Sequence, residues 1–171
     1  MDANIALIGF MGTGKTTVGK ELAKKLGFTF IDTDEKIEEE TGLTIKDIFQ
    51  KYGEKYFRRL EHNLIKDISR YRRCVISTGG GVVLNIENIK ILRQRSIIVC
   101  LEAGYQYLLN RLKDTDNRPL LAGENLEERL LRLLKEREKF YKCADIYIKT
   151  NNKTVNDLTD EIIKAIERIK I

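Results

Sequence analysis

The run Gly9-Phe10-Met11-Gly12-Thr13-Gly14-Lys15-Thr16 constrains this chain more than any other feature. Its pattern, GxxxxGK[ST], works only where a strand runs into a helix. The glycines let the backbone close around an anion, and the helix start supplies free N–H groups and partial positive charge. The flanks provide that context. Ile5 to Ile8 is an apolar run of strand length. Lys15 to Leu26 places Val18, Leu22 and Leu26 on one helical face before Gly27 stops it. In such a loop Lys15 reaches the outer phosphates of a bound polyphosphate, and the Thr16 hydroxyl can bind Mg²⁺.

The rest of the chain repeats the alternation. Phe28-Thr29-Phe30-Ile31, Cys74-Val75-Ile76-Ser77, Ile97 to Leu101 and Ile146-Tyr147-Ile148 read as four further strands, and Val155, Leu158, Ile162, Ile166 and Ile169 as the face of a last helix. Strands separated by helices predict an α/β fold with a parallel sheet covered on both faces, whose ligands bind beyond the carboxyl ends of the strands. Two stretches depart from simple alternation. Residues 33 to 71 hold several helical patterns between the second and third strands, and residues 113 to 125 are polar, with the makings of a flap.

A length of 171 residues suits one domain, residues 1 to 171. Lys and Arg total 31 against 26 Asp and Glu, a mild net charge of +5 that suits anionic small molecules and nucleic acid alike. No run of five basic residues and no Trp occurs, so nothing supports nucleic-acid binding. No apolar stretch approaches the roughly 18 residues a membrane span needs, and a cytoplasmic protein without membrane contact is expected. Cys74, Cys100 and Cys143 are odd in number and widely spaced, which predicts free thiols. No extended coiled-coil seam points to an oligomer, so monomer is the default.

Candidate chemistry collects at the strand ends. Asp32 and Asp34 stand two apart after the second strand, a spacing that points both at one site. One suits a Mg²⁺ shell and the other a hydroxyl that must lose a proton; alternatively Asp34 caps a helix starting at Glu35. Gly79, Gly80 and Gly81 follow the third strand, where they form a flexible turn or let a ligand approach the backbone. Arg58, Arg118 and Arg137 each have the fork geometry to grip a carboxylate or phosphate, and spacing alone singles out none. His62, the only histidine, is assigned no role.

Together these residues resemble the shikimate kinase family over about residues 4 to 165. The resemblance rests on Gly9 to Gly19, Asp32-Thr33-Asp34, Gly53-Glu54 with Phe57-Arg58-Arg59-Leu60-Glu61, Gly79-Gly80-Gly81, Arg118-Pro119-Leu120-Leu121 and Arg137 with Tyr141, in that order. It implies a P-loop kinase fold of the nucleoside-monophosphate-kinase type with a five-stranded parallel sheet. It also implies a substrate-binding region at about 33 to 61, a lid at about 112 to 125, and transfer of the ATP γ-phosphate to the 3-hydroxyl of shikimate. The family pattern assigns ATP to Gly12, Thr13, Gly14, Lys15, Thr16 and Thr17, with Arg111 against adenine. Lys15 and Arg118 would stabilise the moving phosphoryl group, and Thr16 would hold Mg²⁺ with Asp32 acting through water. Asp34 would hold and help deprotonate the acceptor hydroxyl. Arg58 and Arg137 would grip the acceptor carboxylate beside Gly79, Gly80 and Gly81, with a backbone N–H at Gly80 assisting. Phe49, Phe57, Pro119 and Leu120 would wall the pocket. The chain departs from the family in lacking Pro at 138 to 140 and at 151 to 154. A gluconate or nucleotide kinase shares the phosphate loop but needs other acceptor contacts. A nucleotide-binding module without catalysis would not need Lys15, Asp34 and Arg118 together.

Overall fold

The structure is a computed structural model that describes residues 3–113 and 125–169. The chain order is β1 (Asn4–Gly9), α1 (Lys15–Leu26), β2 (Thr29–Asp32), α2 (Thr33–Thr41), α3 (Ile45–Ile68), β3 (Cys74–Ser77), a 3₁₀ turn (Val82–Leu84), α4 (Ile86–Arg93), β4 (Ser96–Glu102), α5 (Tyr105–Leu112), α6 (Leu126–Tyr141), β5 (Ile146–Lys149) and α7 (Val155–Ile169). The five strands form one parallel sheet in the order β2-β3-β1-β4-β5. Every residue of β1 is buried, because the sheet is covered on both faces. Alternate residues of β1 serve opposite layers. Ile5 and Leu7 pack with Val18 and Leu22 of α1 and Leu158, Ile162 and Ile166 of α7. Ala6 and Ile8 pack with Leu64, Ile65 and Ile68 of α3 and Ile89 and Leu92 of α4.

The strands fall where the apolar runs predict, with one informative shift. Residue 28 reads as strand in the sequence, yet the Phe28 N–H donates to the carbonyl of Ala23 at 2.9 Å and closes the end of α1 over Gly27. The strand therefore starts at Thr29 and ends at Asp32, which is at once the last strand residue and the N-cap of α2. The helical stretch after β2 resolves into α2 and α3. α3 is interrupted at Gly53, whose φ of 79° and ψ of 170° are not helical. Cys74 and Cys100 are buried and Cys143 half-buried, all as free thiols. Among the described residues no helix is long and apolar enough to cross a membrane.

Candidate active site

The phosphate loop runs from the end of β1 to the first turn of α1. Gly9, Gly12 and Gly14 all have positive φ, at 143°, 84° and 94°. Gly14 is the N-cap of α1 and offers no side-chain cap, so the first N–H groups of the helix remain for an anion. Lys15 is 8% exposed, and its Nζ donates to the carbonyls of Gly9 at 2.9 Å and Phe10 at 3.0 Å. Thr13 turns inward and donates both its hydroxyl, at 2.8 Å, and its N–H, at 3.4 Å, to the Phe10 carbonyl. Phe10 and Met11 are buried against Leu108, Leu109 and Leu112 of α5 and Leu130 of α6. The non-glycine positions of the motif thus anchor the loop to the helices beside it. Arg111 on α5 donates to the Tyr107 hydroxyl at 2.9 Å. Its guanidinium comes within 3.7 Å of where a Cβ on Gly14 would stand, and so lies over the loop.

Thr16 and Asp32 meet beside it. The Thr16 hydroxyl donates to Asp32 Oδ2 at 2.7 Å, with Ser77 Oγ 3.5 Å away. The other oxygen, Asp32 Oδ1, accepts from the N–H groups of Asp34 at 3.0 Å and Glu35 at 3.4 Å. The helix cap after β2 is therefore Asp32 and not Asp34, and capping uses only half of its carboxylate. Both Asp34 and the Thr16–Asp32 pair line a cleft of about 360 Å³ together with the phosphate loop, Arg111 and residues Ser77 to Gly80.

A smaller chamber of about 60 Å³ adjoins that cleft, with Met11, Ile45, Asp34, Gly79 and Gly80 lining both. Phe49, Phe57, Arg58, Gly81 and Arg137 complete it. The Phe49 and Phe57 rings lie 5.0 Å apart. Arg58 donates Nη1 to Glu61 Oε2 at 3.0 Å, and Nε and Nη2 to Glu54 Oε1 at 3.2 and 3.0 Å. Arg137 is 4% exposed, its Nη1 has no hydrogen-bond partner, and its guanidinium sits 5.9 Å from the Phe10 ring centre. Tyr141, one turn further along α6, donates its hydroxyl to the Gly80 carbonyl at 2.5 Å. Burial raises its pKa and keeps it protonated for that bond.

Glu61 is only 1% exposed. Burial pushes its carboxyl up to about 7, against the pull of Arg58; Asp34 adds to the rise and Arg137 opposes it. The sequence marks this carboxylate only as the last residue of the Phe57-Arg58-Arg59-Leu60-Glu61 segment, with no role assigned to it.

The glycine run fits this crowding. A Cβ on Gly79 would stand 2.9 Å from Asp34 Oδ1 and 3.0 Å from Glu61 Oε1. One on Gly81 would overlap the Arg58 guanidinium, and one on Gly80 would stand 3.2 Å from the Met11 nitrogen. Gly79→Ala is accordingly expected to displace both carboxylates and raise the KM of the acceptor about tenfold or more, since a shift of about 1 Å at a positioned group can cost up to ~10²-fold. Steady-state kinetics with each substrate varied in turn checks this, and the KM of the phosphate donor should stay within about twofold of wild type.

The structure thus brings Gly12 to Thr17, Asp32, Asp34, Phe49, Phe57, Arg58, Gly79 to Gly81, Arg111 and Arg137 around two connected cavities. Arg118, Pro119 and Leu120, and most of the expected lid at 112 to 125, lie outside the described residues. Glu54 and Glu61 join the site as partners of Arg58. A larger, mostly apolar cleft of about 720 Å³ opens between β4, α6 and Asn151; Asp34, Arg58 and Arg137 are not among its lining residues.

The family model described as shikimate kinase matches residues 11–167. A shikimate kinase of Thermodesulfovibrio yellowstonii is 52% identical over 97% of this chain and 96% of its own length. One from Thermoanaerobacter pseudethanolicus is 48% identical over 98% of each chain. Among solved structures, a shikimate kinase from Acinetobacter baumannii in complex with shikimate superposes with a TM-score of 0.95. It shares 41% identity over 99% of this chain and 95% of that one.

Proposed function

The chain belongs to the shikimate kinase family, and from that premise we propose how its own residues carry the transfer of the ATP γ-phosphate to the 3-hydroxyl of shikimate. One observation supports the reading above all others. The chamber that gathers Arg58 and Arg137 opens into the cleft of the phosphate loop, and Asp34 stands on the boundary between them.

The chamber is the smaller of the two connected cavities and carries both guanidinium groups, whereas the cleft carries the phosphate loop. The acceptor therefore seats its carboxylate at the narrow end, between the Arg58 and Arg137 guanidinium groups, and extends its ring past Phe49 and Phe57 toward the cleft. That orientation brings its hydroxyls to Asp34. The carboxylate of Asp34 accepts the hydrogen bond of the reacting hydroxyl and takes up its proton as the oxygen attacks phosphorus. The Gly80 N–H assists at the carboxylate end.

On the donor side, Lys15 gives up its bonds to the Gly9 and Phe10 carbonyls and turns to the β- and γ-phosphates. The free N–H groups at the start of α1 take the remaining oxygens. Phosphoryl transfer needs alignment and charge stabilisation more than covalent help, and the loop supplies both. Arg111 lies against adenine, and the family pattern adds Arg118 to the transferring phosphate with Pro119 and Leu120 at the wall.

Mg²⁺ fits the corner where the Thr16 hydroxyl and Asp32 Oδ2 face each other. Both are hard oxygen donors, and only one oxygen of Asp32 is used in capping. Thr16 would hold the ion, with Asp32 acting through water. When bound, the ion neutralises charge on the β- and γ-phosphates.

The test is Arg58→Ala, assayed by ADP release with shikimate and ATP varied separately. The shikimate KM should rise about 30- to 100-fold, the worth of a charge-assisted carboxylate contact of about 2–3 kcal/mol. The ATP KM should move by less than about twofold. An unchanged shikimate KM would remove Arg58 from the clamp.

A further inference from the structure

The carboxylate clamp contains one ionisable group more than clamping needs. Among the described residues, the charged and titratable side chains facing it are Asp34 from α2, Glu54, Arg58 and Glu61 from α3, and Arg137 and Tyr141 from α6. His62, next to Glu61 in sequence, is bound instead to Asn88 of α4 at 2.7 Å. Glu54 is exposed to solvent; among the groups shielded from it, with Glu61 ionised, the two guanidinium groups already balance Asp34 and Glu61 before any ligand arrives. A docking carboxylate then leaves one uncompensated negative charge away from water, an arrangement that low-dielectric surroundings penalise strongly.

Arg58 does not depend on the charge of Glu61 to stay in place, because its Nε and Nη2 are both held by Glu54. The second oxygen of Glu61, Oε1, is buried without a hydrogen-bond partner and packs against the same face of Gly79 as Asp34 Oδ1. That oxygen is a place for a proton. We propose that Glu61 is a positioning residue that takes up one proton from solvent as the acceptor carboxylate docks between Arg58 and Arg137, so that the buried cluster stays electrically balanced. The proposal rests on the clamp assigned above.

The consequence is a pH dependence that belongs to the acceptor and not to ATP. Below about pH 7 Glu61 is already protonated in the empty site, and shikimate binds without proton exchange. Above it, each binding event draws a proton from solution, and the shikimate KM rises by up to about tenfold per pH unit.

Two measurements decide the matter. Calorimetry of shikimate binding at pH 8, in two buffers of different ionisation enthalpy, should show uptake approaching one proton by the wild-type protein and none by Glu61→Gln. The shikimate KM, followed from pH 6 to 9, should climb above pH 7 in the wild type and stay flat in the variant. Wild-type binding without proton uptake at pH 8 would overturn the proposal, and it needs no variant to fold. So would a Glu61→Gln enzyme that keeps the wild-type profile. Failure of the clamp itself reads differently: Arg58→Ala would then leave the shikimate KM untouched at every pH, and clamp and proposal would fall together.

Discussion

Lys15→Ala is expected to fold normally and to lose turnover by about 10²- to 10³-fold, the cost of removing one preorganised donor from a developing anion. The Lys15 ammonium is almost fully buried and bridges two backbone carbonyls at the end of β1. The loop does not rely on that bridge for its shape. Thr13 ties back to the Phe10 carbonyl through both its N–H, at 3.4 Å, and its hydroxyl, at 2.8 Å. The Phe10 and Met11 side chains are locked into the cluster with α5 and α6. Removing the ammonium therefore takes away charge at the phosphates and leaves the cradle standing. Single-turnover phosphoryl transfer and thermal melting, measured on the same sample, check both halves. A melting temperature many degrees lower would show that Lys15 is structural.

Asp34→Asn should lower kcat by about 10²- to 10⁴-fold, the range of a lost general base, while shifting the shikimate KM less than about tenfold. The change keeps volume and hydrogen-bonding reach but removes the affinity for a proton. The start of α2 is unaffected, because the cap is Asp32 and its carboxylate also holds Thr16. A variant within threefold of the wild-type kcat would mean that the hydroxyl proton leaves by another route. Pre-steady-state measurement of the chemical step separates this from any effect on product release.

Much of this architecture is legible in the sequence, for identifiable reasons. The central strands β3, β1 and β4 are short apolar runs because each is covered on both faces, and burial on both faces writes itself as nearly continuous apolar sequence, while the edge strands β2 and β5 keep exposed positions. The phosphate loop is legible because its glycines answer to backbone geometry and not to packing. Arg58 and Arg137 are not distinguishable on spacing alone, since a cation that will be buried looks like one that will be solvated until its partners are placed. Glu61 illustrates the same blindness. It stands in a helix rich in charge, and only the fold of α3 against the glycine run excludes water from it. The double use of Asp32 is hidden for another reason: capping and the bond to Thr16 employ different oxygens of one carboxylate, a division that sequence cannot express.

Gly53 gives the acceptor chamber a joint. Phe49 and Phe57 lie four residues before and four after it. On a straight helix they would be separated by about 12 Å of axial rise at 1.5 Å per residue, yet their rings meet at 5.0 Å. The break also divides the moorings of the two halves. The first half starts beside α2, where the Ile45 N–H donates to Glu38 at 2.8 Å. The second carries Phe57, Arg58 and Glu61 and is fastened to the sheet through Ile65 and Ile68. A Cβ at Gly53 would meet nothing within 4 Å, so what reserves the position for glycine is torsion and not space. The approach of the two aromatic rings thus depends on the two backbone angles of a single residue.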